Sequence, residues 1–134
     1  SEATFVTNSI PLAQKLGRSG SHVYILPGRV KGDTEAIVGS EMRDMIGRYH
    51  FTKGFFGANG ISTKAGFSTP DASEGLVKSS ALNRCRKAYI LADPSKFNRI
   101  SPITFANISG ATIITTALKD RKYQDFANIL EVTE

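Results

Sequence analysis

The sequence predicts an α/β fold, a mainly parallel sheet with helices on both faces. Three observations carry that prediction. Short apolar runs alternate with amphipathic helical windows along the chain, which is the pattern of strands joined by crossover helices. Tyr89-Ile90-Leu91-Ala92 is apolar on both faces, as a central parallel strand should be. The composition, 40% hydrophobic and 22% charged over 134 residues, is that of one globular domain rather than a disordered segment. We therefore expect a single domain over residues 1–134.

Taken in order, Ala3–Val6 reads as a strand, and Ser9-Ile10-Pro11 supplies a helix cap with proline in the first turn. That helix should end near Gly17, and a turn leads to a second strand, Val23–Leu26. Residues 27–33 read as a loop, with glycines at 28 and 32. Gly39-Ser40 opens a helix in which Met42, Met45, Ile46 and Tyr49 form one core-facing stripe. Gly54-Phe55-Phe56 is the third strand and runs into Gly57-Ala58-Asn59-Gly60, followed by a loop through Gly66. Thr69-Pro70-Asp71 starts a helix that carries on to about Cys85, where Val77, Ala81 and Cys85 share one apolar ladder. After the strand at 89–92 comes Asp93-Pro94-Ser95-Lys96-Phe97, then a buried strand at Thr112–Thr115. Tyr123, Phe126, Ala127 and Leu130 predict a last amphipathic helix, with Leu130-Glu131-Val132 as an edge strand. The strands around Phe5, Tyr24, Phe55, Ile90 and Ile113 are expected in one sheet.

Charge and composition exclude several classes. The net charge is +5, but its lysines and arginines are dispersed, which suits a small anionic ligand better than DNA contact by this segment. The one cysteine, Cys85, forbids an internal disulfide and fits a reducing cytoplasm. No apolar run is long enough to span a membrane. His22 and His50 stand apart from any other metal-type ligand, so neither a metal nor another cofactor is expected.

In an open parallel sheet, ligands sit beyond the carboxyl ends of the strands. The segments that follow the predicted strands are Thr7-Asn8-Ser9, Pro27-Gly28-Arg29, Gly57-Ala58-Asn59-Gly60, Asp93-Pro94-Ser95-Lys96 and Thr115-Thr116. Hydroxyls, amides, glycines and a lysine together suit a polyhydroxylated anion. Asp71 and Glu74 read first as charges that complement a helix start, and Glu74 is also placed to face the rim. Only Asp93 and Glu74 offer a general base, so no catalytic residue is assigned. A sugar-phosphate isomerase or deaminase on the same fold remains the alternative.

Those rim segments, with Gly28, Gly39, Phe56-Gly57-Ala58-Asn59-Gly60-Ile61, Gly66-Phe67-Ser68-Thr69-Pro70-Asp71, Glu74, Val77-Lys78 and Leu91-Ala92-Asp93-Pro94-Ser95-Lys96-Phe97, resemble the C-terminal sensor domain of the DeoR family of sugar-responsive repressors. The resemblance covers essentially the whole chain. It implies a fold shared with ribose-5-phosphate isomerase and a phosphorylated sugar as effector, a fructose or tagatose phosphate being the nearest candidates from the Thr34–Gly39 stretch. On this basis Thr7, Asn8, Gly28, Asn59, Gly60, Glu74, Lys78, Asp93 and Lys96 are the expected ligand-binding residues. It further implies a homo-oligomer that meets operator DNA through an N-terminal winged helix-turn-helix domain. Relatives carry an additional strand and an Asp-x-Gly-Thr-Thr loop before the segment that opens this sequence, so the domain is expected to be truncated on its N-terminal side. Pro27 stands where relatives commonly have glycine, which removes a backbone donor.

Overall fold

The computed structural model describes residues 3–33 and 35–133, so Thr34 lies outside the described residues. They form two compact units, divided between Arg48 and Tyr49.

In the first unit, β1 (Thr4–Thr7) pairs in parallel with β2 (His22–Ile25), and α1 (Ile10–Arg18) is the crossover between them. The Ser9 side chain caps α1 by accepting from the Leu12 N–H at 3.3 Å, and proline follows in the first turn, where it lacks no needed donor. Two short strands follow, β3 (Arg29–Lys31) and β4 (Ala36–Val38), paired antiparallel. The sequence reading gave β3 to a loop. Its Val30 is exposed, and the buried apolar positions of the hairpin lie in β4, at Ile37 and Val38. α2 (Ser40–Ile46) buries Met42 and Ile46. The expected stripe is shorter than its sequence pattern: Met45 is exposed, and Tyr49 lies beyond the helix end.

The second unit is built on four parallel strands in the order β11-β10-β8-β5. These are β5 (Phe51–Gly57), β8 (Cys85–Leu91), β10 (Thr112–Thr115) and β11 (Ile129–Glu131). Phe56 lies beside Ile90, and Ile90 beside Ile113, in register. A second sheet, β6 (Gly60–Ser62), β7 (Gly66–Thr69) and β9 (Ile103–Ala106), is antiparallel. α3 (Ala72–Leu82) packs on β7 and β9 and reaches β5 and β8. Gly75 permits that approach, because a Cβ there would lie 2.9 Å from Ile103 Cγ2. One core results, in which Ile61, Phe67, Phe105, Ile90, Ile113 and Tyr123 meet.

The parallel α/β class is the one the alternation predicts. The five strands expected in one sheet are divided between two, with β1 and β2 forming their own pair. In the second unit the buried face of the parallel sheet shares its core with a small antiparallel sheet as well as α3, where only helices were expected. Cys85 is not on the helix. α3 stops at Leu82, and Cys85 opens β8, although its thiol still donates to the Ala81 carbonyl at 3.2 Å. The expected last helix is a 3-10 turn at Arg121–Asp125, and the chain then extends into β11. Tyr123 is wholly buried there, with its ring edge-on to Phe97 at 4.8 Å, while Phe126 and Leu130 are exposed.

Candidate functional site

In the first unit, the polar groups after β1 are engaged internally. Thr7 Oγ1 accepts from the Ser9 N–H at 3.1 Å. Asn8 is bound to the β3–β4 hairpin twice: its carbonyl accepts from the Ile37 N–H at 2.8 Å, and its side-chain amide donates to the Ile37 carbonyl at 3.3 Å. Gly28 adopts φ +152°, and a Cβ there would stand 2.6 Å from the Val38 carbonyl oxygen. Its glycine is required by chain packing.

At the carboxyl end of β5 in the second unit, the arrangement differs. A Cβ on Gly57 would meet nothing within 4 Å, so the flank of this strand end is open. Asn59 is exposed, and its backbone N–H donates to the Ser68 carbonyl at 2.9 Å. The hydroxyl of fully buried Thr69 donates to Asn59 Oδ1 at 3.3 Å, which leaves the Asn59 amide N–H groups directed elsewhere. Among the described residues those N–H groups have no protein partner.

Gly60, expected to let a ligand approach, has another task. A Cβ there would lie 2.6 Å from the Arg99 carbonyl oxygen and 2.6 Å from Ser68 Oγ. What approaches Gly60 is the protein's own chain, as Phe97 bridges to Ile61 in parallel and the Asn98 N–H donates to the Ile61 carbonyl at 2.8 Å. The same contacts bring the segment that carries Lys96 alongside Gly60 and Ile61, so two of the expected segments do come together. Asp93 starts that segment as a cap. Its carboxylate accepts from the Ser95 hydroxyl and from the Ser95 N–H, and these bonds hold its pKa below the ordinary aspartate value.

Glu74 and Lys78 sit one turn apart on α3. Lys78 Nζ donates to the Gly57 carbonyl at 2.8 Å and lies 5.2 Å from the centre of the Phe105 ring. Burial lowers the pKa of this ammonium, and the nearby Glu74 charge opposes that shift. Thr69 and Phe105 are absent from the sequence-derived set. Thr69 stands within the motif that carries the resemblance, but there it reads as a helix-start residue. Nothing local marks Phe105.

An open depression of about 670 Å³ lies elsewhere on the second unit, lined by residues that include Lys87, Tyr89, Gly110, Thr112 and Asn128. It touches none of Gly57, Leu91 or Thr115, the last residues of their strands. It is therefore away from the strand ends where parallel sheets hold ligands. Among the described residues, no three His, Cys, Asp or Glu side chains gather as a metal site. None of the described helices is long and apolar enough to cross a membrane.

Residues 1–117 match the family model for the DeoR C terminal sensor domain. The chain is 43% identical over 121 residues to the "Uncharacterized HTH-type transcriptional regulator FruR" of Bacillus subtilis (strain 168), covering 90% of this chain and 48% of that protein. It is 28% identical over 131 residues to the "Lactose phosphotransferase system repressor" of Streptococcus mutans serotype c, covering 95% of this chain and 52% of that protein. It is also 28% identical over 116 residues to the "HTH-type transcriptional repressor GlcR" of Bacillus subtilis (strain 168), covering 86% and 45%. The chain thus spans about half the length of the curated relatives it matches, and those relatives are transcriptional regulators, not enzymes. With its family model covering nearly the whole chain, this protein belongs to the DeoR C-terminal sensor domain family.

Proposed function

We propose that this chain is the effector-sensing part of a cytoplasmic sugar-metabolism repressor, and that the effector is a phosphorylated ketose of the fructose or tagatose type. The observation that carries this reading is the end of β5. There an exposed Asn59 keeps its amide donors free because Thr69 occupies its oxygen, beside a Gly57 flank with no side chain. Amide donors recognise sugar hydroxyls and phosphoryl oxygens, and the chain segment carrying Lys96 runs alongside and contributes positive charge. Asp93 keeps that segment in shape, and Glu74 acts with Lys78 on the helix behind it. A relative named as a lactose phosphotransferase system repressor supports the sugar class. Effector binding shifts the population of two arrangements of an oligomer, and DNA affinity follows through a helix-turn-helix segment outside this sequence.

A thermal-shift panel on the full regulator tests the reading, with fructose 1-phosphate, fructose 1,6-bisphosphate, tagatose 6-phosphate and the free sugars. A ligand at a hundred times its Kd should stabilise the native state by about 2.7 kcal/mol. At least one phosphorylated ketose should raise Tm while free fructose and tagatose do not. A panel without any response from the phosphates would defeat the proposal.

A further inference from the structure

We propose that Lys78 is a positioning residue: by donating to the Gly57 carbonyl, its ammonium holds residues 58–60 so that the Asn59 amide faces outward at the end of β5. The inference rests on reading that strand end as the effector site.

Lysine is ordinarily a mobile, well-hydrated charge on a flexible stem. Here its head group is fixed from separate elements. It rises from α3, donates to the last residue of β5 at 2.8 Å, and rests against Phe105 of β9 at 5.2 Å from the ring centre. The bond falls where the chain most needs it. Gly57 has no side chain to restrict its backbone, and the loop to β6 begins directly after it. Downstream, Asn59 is tied by its N–H to Ser68 and by its oxygen to Thr69, at 2.9 Å and 3.3 Å. Lys78 fixes the entry of the loop and β7 fixes its far side. Removal of the ammonium leaves Gly57 in register with Leu91 of β8 but takes the side-chain donor from its carbonyl, so the loop to Asn59 is held from its far side alone and the Asn59 amide shifts. This assigns Lys78 a role through Asn59 and not through contact with the effector.

A double-mutant cycle in the full regulator tests this, with calorimetry against whichever of fructose 1-phosphate and tagatose 6-phosphate binds. Lys78→Met and Asn59→Ala should each weaken binding by about tenfold or more, and the double variant should be no weaker than either single one. Lys78→Arg should stay within about threefold of wild type, since guanidinium can donate to the same carbonyl. Additive losses would mean that Lys78 touches the effector itself and would overturn the proposal, as would Lys78→Met binding within twofold of wild type. A second readout needs no ligand: the Asn59 side-chain amide signals in the NMR spectrum should move in Lys78→Met and return in Lys78→Arg. Unmoved signals overturn the positioning role. Absence of binding by wild type to either sugar would count against the functional reading alone, with the NMR result still deciding this one. If Lys78→Met does not fold, Lys78→Gln takes its place in both experiments.

Discussion

The strand ends of the two units carry the same kinds of residue and use them in opposite ways. At the ends of β1 and β2, Thr7, Asn8 and Gly28 are engaged by Ser9, Ile37 and Val38. After β5, Asn59 has its side-chain oxygen engaged and its side-chain N–H groups without a partner among the described residues, and Gly57 borders open space. An Asn or a Gly beyond a parallel strand is therefore no evidence of a binding site by itself. What separates the two cases is whether the protein has already satisfied the group. A satisfied polar group contributes to stability, whereas an exposed and oriented one is available for recognition.

Substitutions at Gly60 and Gly57 should break that comparison most sharply. Gly60→Val would place side-chain atoms into the Arg99 carbonyl and the Ser68 hydroxyl, each 2.6 Å from a Cβ. Overpacking of this kind costs about 1–3 kcal/mol, and here it meets backbone that cannot swing away, so the upper end is expected in denaturant melts. Gly57→Val should leave the melt nearly unchanged and abolish effector binding, because its side chain would fill the open flank. Equal stability losses for the two variants would show that the flank of Gly57 is not free space.

Tyr123→Phe comes next in size. Its buried hydroxyl donates to the Ile61 carbonyl and accepts from the Asn98 N–H, each at 3.0 Å. Its loss should cost about 1–3 kcal/mol of unfolding free energy.

Asn8→Ala and Asn59→Ala make a matched pair of still smaller effect on stability. Asn8→Ala should cost about 1 kcal/mol in unfolding with effector affinity kept. Asn59→Ala should change stability less and reduce affinity roughly tenfold. Reversal of those two outcomes in calorimetry would exchange the roles of the two asparagines.

The smallest effect concerns acid. Asp93 and Asp120 have pKa values lowered chiefly by bonds to Ser95 and to the Lys122 N–H, respectively. The sign follows from the depressed native values. Their contribution is complete above the ordinary aspartate value of 3.8 and is lost as pH falls through the lower native ones. NMR titration of both carboxyl groups should find midpoints below 3.8. Asp93→Asn should move the melt only slightly, since this carboxylate is exposed.

Much of the frame was legible because the parallel strands carry continuous apolar runs, although Phe55 and Leu91 on them are exposed. Thr112–Thr115 is β10 as expected, the run at 89–92 falls on the second half of β8, and Asp71 caps α3 by accepting from the Ser73 N–H at 2.8 Å, as its position before the helix suggests. The antiparallel sheet was not legible. β6 and β7 are buried throughout, yet their residues include Gly60, Ser62, Gly66, Ser68 and Thr69, a composition that reads as loop. They can be buried because their hydroxyls are satisfied. Ser62 Oγ accepts from the Ala65 N–H at 2.8 Å, and Ser68 Oγ accepts from the Ser101 N–H at 2.9 Å. Partners 3 and 33 residues away set those bonds, and only the shorter separation is visible in a local window. The candidate site divides in the same way. Asn59 could be named from its place after a strand, but Thr69, which orients it, could not be distinguished from an ordinary helix-start residue.

The Tyr123 phenol joins residues 62 positions apart in sequence, and Ile61 stands two places after Asn59. Such distant contacts carry a loop-closure cost before they return any stability, which slows folding and postpones it. During synthesis the segment around Asn59 leaves the ribosome well before Tyr123 does. Until Tyr123 has emerged, the Ile61 carbonyl of β6 lacks that donor. In a growing chain, the bond between the Tyr123 hydroxyl and the Ile61 carbonyl therefore closes late, after both strands of the β6–β7 hairpin have emerged.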